Sequence, residues 1–211
     1  MYVMSFGLAL AMNGWLGTYY REAFDDVTML QAATFAATFS IAVGLLRPLG
    51  GYVSDRVARS ERNLLPLFRG QYREQWTFVT LAFLLMTLFG LTAAGLTGSI
   101  YLTLAAAFAV GVGCALSAGA IFAQVPVMFP DSSGSVAGIV GGAGTIGGVV
   151  YPLVFAAPFL SNLHLGYGLT ALTMVPILVL AAWVFQPHVA ETAAEVGLLD
   201  GAPDGLEPAD D

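Results

Sequence analysis

Long, nearly uncharged apolar blocks are the feature of this sequence that most constrains its fold. A helix needs roughly 20 apolar residues to cross the hydrocarbon core of a bilayer. Only 10% of the 211 residues are charged, against about 25% in a typical soluble domain, and the mean hydropathy is +0.79. Blocks of sufficient length follow one another with short connections, at residues 2–20, 30–53, 76–96, 100–122, 136–159 and 165–185. The pattern predicts an all-α membrane protein with six transmembrane helices.

The fifth block contains a pattern that is typical of dinucleotide-binding proteins. Gly142, Gly144 and Gly147 have the spacing G-x-G-x-x-G, but such a site also needs a preceding strand and an acidic residue about 20 positions further on. The next carboxylate is Glu191, which lies beyond another apolar block. The context therefore favours a glycine-rich membrane helix, and we expect no nucleotide cofactor.

The arginines predict how the chain is oriented in the membrane. Five of the seven basic residues lie in the connection at residues 56–73, and cytoplasmic connections are enriched in Arg and Lys. If this basic connection is cytoplasmic, six spans place both termini in the cytoplasm as well. Residues 191–211 contain seven carboxylates and no Arg, which predicts a disordered acidic tail at 188–211. We therefore divide the chain into a transmembrane domain, residues 1–187, and this cytoplasmic tail.

Arg47 is a charged residue well inside an apolar block. A central Arg costs about 2.5–3.5 kcal/mol on insertion scales, so such residues usually face a cavity or a partner. The following Pro48 predicts a kink in the helix, and no carboxylate lies at a comparable depth. Two interpretations remain open: Arg47 extends to the inner membrane interface, or it binds an anion. A guanidinium binds planar oxyanions through two parallel hydrogen bonds, which favours the second.

Glycines recur at intervals of three and four along the fifth block, at positions 134, 138, 141, 144 and 148. They form a helix face without side chains, which lets another helix or a small ligand approach the backbone closely. Helix packing and ligand binding both remain possible functions of this face.

The segments around these residues resemble the nitrate/nitrite porters of the major facilitator superfamily. The stretch GLLRPLGGYVSDR at 44–56 is similar to the eighth transmembrane helix of that family. The stretch GIVGGAGTIGGVVYP at 138–152 is similar to its glycine-rich nitrate signature in the eleventh helix, and MYVMSFGLALAMNGW at 1–15 to its seventh helix. The resemblance covers residues 2–187 and implies one half of a major facilitator fold. It also implies that an N-terminal half of six helices is missing.

The resemblance also implies roles for individual residues. The anion-binding positions of the family correspond to Arg47, Tyr2, Phe6, Gly138, Gly141, Gly144 and Gly147, and Thr145 is expected to add a hydrogen bond. The superfamily's cytoplasmic gating motif G-x-x-x-D-R corresponds to Gly51, Asp55 and Arg56.

These residues imply transport of nitrate and nitrite across the plasma membrane by alternating access. A proton-coupled carrier usually keeps an ionisable relay in the membrane, and the apolar blocks contain no central Asp, Glu or His. Exchange of one anion for the other is therefore favoured over proton symport. The alternatives are a truncated membrane protein without transport activity, or half of another anion-carrying facilitator. His164 and His188 are expected at the surface, and we predict no enzyme activity, catalytic residue, metal site, cofactor or nucleic acid partner.

Overall fold

The computed structural model describes residues 1–68, 70–155 and 162–186. Within these ranges the chain is helical and contains no β-strand, as predicted for an all-α protein. The α-helices are α1 Leu8–Ala23, α2 Met29–Ser60, α3 Tyr72–Leu96, α4 Ile100–Met128, α5 Ser133–Phe155 and α6 Leu163–Val184. Residues 156–159 of the fifth predicted span and the predicted acidic tail lie outside the described residues.

Five of these helices, α2 to α6, are long and apolar enough to cross a membrane. Helix α1 has 16 residues, and it continues without a break from a π-helical segment at Val3–Gly7. The described part of the chain therefore has the character of a multi-pass membrane protein, whereas the sixth span stays a prediction.

Polar side chains mark the first residues of three helices. The Thr28 hydroxyl accepts a hydrogen bond from the backbone N–H of Gln31, and the Gln31 side chain accepts one from the Thr28 backbone, 2.9 Å away. Ser99 and Asn162 accept backbone N–H groups at the starts of α4 and α6. Because the first N–H groups of a helix have no partner within it, these side chains determine where each helix begins.

Helices α2 and α4 approach each other closely through glycines. A Cβ atom at Gly50 would overlap the backbone of Leu116, and one at Gly119 would overlap the carbonyl oxygen of Arg47. Glycine therefore permits backbone contact along this interface. The contact determines where the backbone of Arg47 lies.

The connection between α2 and α3 folds back against the end of the bundle. The buried side chain of Gln75 accepts hydrogen bonds from the backbone N–H groups of Leu64 and Leu65, at 2.5 and 3.0 Å. Its amide nitrogen donates to the carbonyl oxygen of Phe68 at 2.5 Å. The fully buried Phe68 ring packs edge-on against Phe185, just after α6. The connection is therefore anchored to α3 and to the end of α6.

His164 is not the simple surface residue that was predicted. Its Nδ1 atom lies 2.8 Å from the Tyr19 hydroxyl, and its ring also packs against Phe24. Gly95 makes this packing possible, because a Cβ atom there would overlap the imidazole. The surface prediction therefore holds only in part, because His164 is half-buried near the start of α6 and the prediction did not consider the helices that pack around it.

Candidate functional site

Arg47 lies among the aromatic rings of three residues. Its Cζ atom is 5.7 Å from the ring centroid of Tyr2, 5.2 Å from that of Phe6 and 5.3 Å from that of Phe122. Each distance is within the range of a cation–π interaction. The rings therefore stabilise a charge inside an apolar helix while leaving the edge of the guanidinium available for hydrogen bonds.

Tyr2 connects Arg47 to the rest of this aromatic group. The Arg47 Nη2 atom donates a hydrogen bond to the Tyr2 hydroxyl. The Tyr2 ring stacks on Phe6, with centroids 5.0 Å apart and planes inclined by 14°, and it contacts Phe122 at 4.8 Å. Because the Tyr2 oxygen accepts a hydrogen bond, its own hydrogen remains available to a ligand.

The guanidinium of Arg47 keeps unused hydrogen-bonding capacity. A guanidinium has five N–H donors, and its contact with Tyr2 is the one side-chain hydrogen bond that it makes among the described residues. In that part of the chain no carboxylate forms an ion pair with it. The remaining donors suit an anion.

An open cavity of about 470 Å³ lies at the surface beside Arg47, between α2 and α4. Its volume is within the range of small-molecule sites, and Arg47 supplies the charge that lines it. The lining residues are Gly44, Arg47, Pro48, Gly51, Gly119, Phe122 and Ala123.

Two of the predicted glycines pack against the first residues of the chain, Gly144 against the aromatic rings and Gly147 against the backbone. A Cβ atom at Gly144 would overlap the Tyr2 ring and lie 3.1 Å from the Phe6 ring. A Cβ atom at Gly147 would lie 2.8 Å from the Cα atom of Gly7. These glycines bring α5 against the start of the chain, so their role within this chain is to position the two aromatic side chains.

The other predicted residues of α5 lie apart from this group. Neither Gly138 nor Gly141 has a neighbouring atom within 4 Å of a Cβ position. Thr145 is exposed, and its hydroxyl donates to the carbonyl oxygen of Gly142 at 2.6 Å within the same helix. The structure thus brings together Arg47, Tyr2, Phe6 and Gly144. It leaves Gly138, Gly141 and Thr145 apart from them.

Phe122 is a member of the site that the sequence reasoning missed. It is one of 14 phenylalanines in an apolar chain, so its residue type carries no signal. The available clue is its spacing from Gly119, which contacts the Arg47 backbone. Residues three apart share a helix face, but using that clue requires knowing that α2 and α4 are in contact.

The predicted gating motif joins α2 to α3. Asp55 forms an ion pair with Arg73, 18 residues further along the chain, and not with the adjacent Arg56. The Trp76 indole nitrogen donates to the carbonyl oxygen of Gly50 at 3.0 Å. Gly51, the first residue of the motif, lies against the α4 backbone. These contacts hold the end of α2 against the start of α3.

We expect the Asp55–Arg73 ion pair to contribute less than about 1 kcal/mol to stability, because both side chains are partly exposed and exposed pairs are weak. A double-mutant cycle with Asp55→Asn and Arg73→Gln, followed by thermal unfolding in detergent, measures the coupling. The Arg59→Gln variant controls for the loss of one positive charge. A coupling above about 2 kcal/mol would contradict this assignment and indicate a pair shielded from water.

Several curated proteins are similar to this chain. A "Probable nitrate/nitrite antiporter NarK1" of Thermus thermophilus is 32% identical over 74% of this chain and 35% of its own length. A "Probable nitrate/nitrite transporter NarK2" of Mycobacterium tuberculosis is 30% identical over 92% of this chain and 45% of its own. The "High affinity nitrate transporter 2.7" of Arabidopsis thaliana is 35% identical over 71% of this chain and 28% of its own length.

The chain spans less than half the length of these curated relatives. No family model matches the chain, and no solved structure matches it. The relatives are named as transporters, in agreement with the prediction that the chain is not an enzyme.

Proposed function

The chain belongs to the nitrate/nitrite porter family of the major facilitator superfamily, and from this membership we propose that it carries nitrate and nitrite across the plasma membrane. It acts as the C-terminal, six-helix half of a porter, residues 1–187, whose binding site is completed by an N-terminal half. The observation that carries the proposal is the free guanidinium edge of Arg47 beside a cavity.

The chemistry of the Arg47 site fits a small planar oxyanion. The guanidinium offers parallel N–H groups, which match two oxygens of one anion. The Tyr2 hydroxyl accepts from Arg47, so its hydrogen is oriented to donate to the same anion. The rings of Phe6 and Phe122 exclude water from one side of the site, which strengthens the electrostatic attraction. An anion thus exchanges its hydration shell for charge-assisted hydrogen bonds.

The open faces of α2 and α5 support a partner half. Leu45 on α2 and Ile139 on α5 are 74% and 72% exposed in the chain alone. Gly138, Gly141 and Thr145 lie on the uncovered part of α5, where a second half would meet them. In this superfamily the substrate site lies between two halves near the middle of the bilayer. We propose that the anion enters between these surfaces, and that Gly138, Gly141 and Thr145 contact it there.

Exchange of nitrate for nitrite is the transport mode that we propose. Among the described residues no carboxylate pairs with Arg47, so a proton taken up at that position has no acceptor among them. The bound anion is then displaced by a second anion that enters from the opposite side of the membrane. We further propose that both termini and the Gly51–Arg56 motif face the cytoplasm, where the tail at 188–211 also lies.

We expect no nitrate uptake when the chain is expressed alone, and uptake when it is co-expressed with an N-terminal half. One half of the binding site cannot enclose an anion, and it cannot open alternately to the two sides of the membrane. Uptake of labelled nitrate into vesicles measures both conditions, with an Arg47→Ala chain and the same N-terminal half as the control. Robust uptake by the chain alone would contradict the half-porter proposal. Uptake of other anions in preference to nitrate would indicate another anion-carrying facilitator.

A further inference from the structure

A polar pair lies between α1 and α2, away from the Arg47 site. The Ser40 hydroxyl donates a hydrogen bond to the Asn13 side-chain oxygen at 2.6 Å. Both residues are exposed in this chain and lie within apolar segments of their helices. Polar side chains facing lipid are unfavourable, and such residues usually face the interior or a water-filled cavity. The pair is therefore expected to face the path between the two halves.

The Asn13 amide has donors available for a ligand. Its oxygen accepts from Ser40, and its nitrogen has no hydrogen-bond partner among the described residues. An amide nitrogen carries two N–H groups, and Ser40 orients them by binding the oxygen. An oxyanion carries only acceptors, so an oriented amide can bind it without supplying a charge.

Ser40 and Arg47 lie on the same face of α2, with Gly44 between them, and we call this face the track. Ser40, Gly44 and Arg47 are spaced by four and three residues, so they share one helix face. Gly44 has no neighbouring atom within 4 Å of a Cβ position, and it lines the same cavity as Arg47. Seven residues of helix correspond to about 10 Å. Gly44 therefore leaves open space at its own position between the polar pair and the Arg47 cavity, and the neighbouring Val43 packs against the core.

We propose that Asn13, held by Ser40, forms a second binding site for nitrate or nitrite on the outer side of Arg47. The inference rests on the proposed function. In the predicted orientation α2 begins at the outer surface, so an entering anion meets Asn13 before Arg47. The outer site is the weaker one because it has no charge, and weak binding lets the anion pass on to Arg47.

The test measures the apparent affinity for nitrate separately on the two faces of the membrane. The transporter assembled with its N-terminal half is assayed in right-side-out and inside-out vesicles. The Asn13→Asp variant keeps the side-chain shape, removes the donors and repels anions. We expect it to weaken the apparent affinity about tenfold at the outer face, the loss typical of a hydrogen bond to a charged group, with no change at the inner face.

Thr38→Val provides the matched control, because the Thr38 hydroxyl bonds only to the Phe35 carbonyl within α2 among the described residues. It is expected to leave both affinities unchanged. An unchanged outer affinity in Asn13→Asp, or an equal change at both faces, would overturn the outer site. If Arg47→Ala transports as the parent does, the proposed function itself fails. If Arg47→Ala is inactive and Asn13→Asp matches the parent, only the outer site fails.

Thiol labelling tests the track without relying on transport rates. The one native cysteine, Cys114, is 1% exposed and is replaced by Ala. A cysteine introduced by Gly44→Cys is expected to react with a membrane-impermeant thiol reagent and to be protected by nitrate. The Ala42→Cys variant, two residues earlier on the helix and at a position that is 2% exposed, is expected to stay unreactive. An unreactive Gly44→Cys, or one that nitrate does not protect, would contradict an anion path along this face.

Discussion

Arg47→Ala is expected to abolish nitrate binding by the assembled transporter while the protein still inserts into the membrane. The substitution removes the charge and all five donors of the guanidinium and leaves an aromatic group with no attraction for an anion. Calorimetry on the purified variant measures the binding. Arg59→Ala, which removes a positive charge from an exposed position, is the matched control and is expected to bind nitrate as the parent does.

The Arg47→Lys variant separates charge from geometry. An ammonium keeps the positive charge but replaces the planar fork with a point donor. Losing one charge-assisted hydrogen bond costs about 1.5–3 kcal/mol, so we expect the dissociation constant to rise about tenfold or more. If Arg47→Ala binds nitrate like the parent, the arginine extends to the membrane interface and the site is wrongly assigned.

Gly144→Leu is expected to destabilise the isolated chain and to abolish nitrate binding by the assembled transporter. The added side chain meets the Tyr2 and Phe6 rings, and overpacking typically costs about 1–3 kcal/mol. Displacing Tyr2 also removes the acceptor that orients Arg47. Thermal unfolding of the purified chain and nitrate binding by the assembled transporter measure the two effects.

Gly141→Leu is the control for this prediction, because a Cβ atom at Gly141 has no neighbour within 4 Å. We expect unfolding of the isolated chain to be unchanged and transport by the assembled porter to be lost, since the second half or the anion occupies that face. Equal destabilisation by both Leu variants would contradict the packing difference between the two glycines. Normal transport by Gly141→Leu would show that its face meets lipid.

The all-helical character of the chain was predictable because it depends on length and apolarity alone. A bilayer requires long helices whatever their neighbours are, so hydropathy suffices. The contact of Arg47 with Tyr2 and Phe6 could be anticipated from the family resemblance. Their roles in binding an anion stay predictions.

Contacts between helices were harder to predict because they depend on the shapes of both surfaces. Gly144 and Gly141 are three residues apart in the same motif, yet one meets two aromatic rings and the other meets no atom. Asp55 on α2 forms an ion pair with Arg73 on α3, and the whole connection between these helices separates the two residues in sequence. Nothing in the local sequence distinguishes such positions, since the difference arises only when the helices pack.

The anchored connection between α2 and α3 has a mechanical consequence. Gln75 ties the connection to α3, Trp76 binds the backbone of α2, and Arg73 holds Asp55. We therefore expect a rotation of α2 to move the start of α3 with it, because these contacts join the two helices. In the proposed transport cycle Arg47 would then move together with α3, because it lies on the same helix as Gly50 and Asp55.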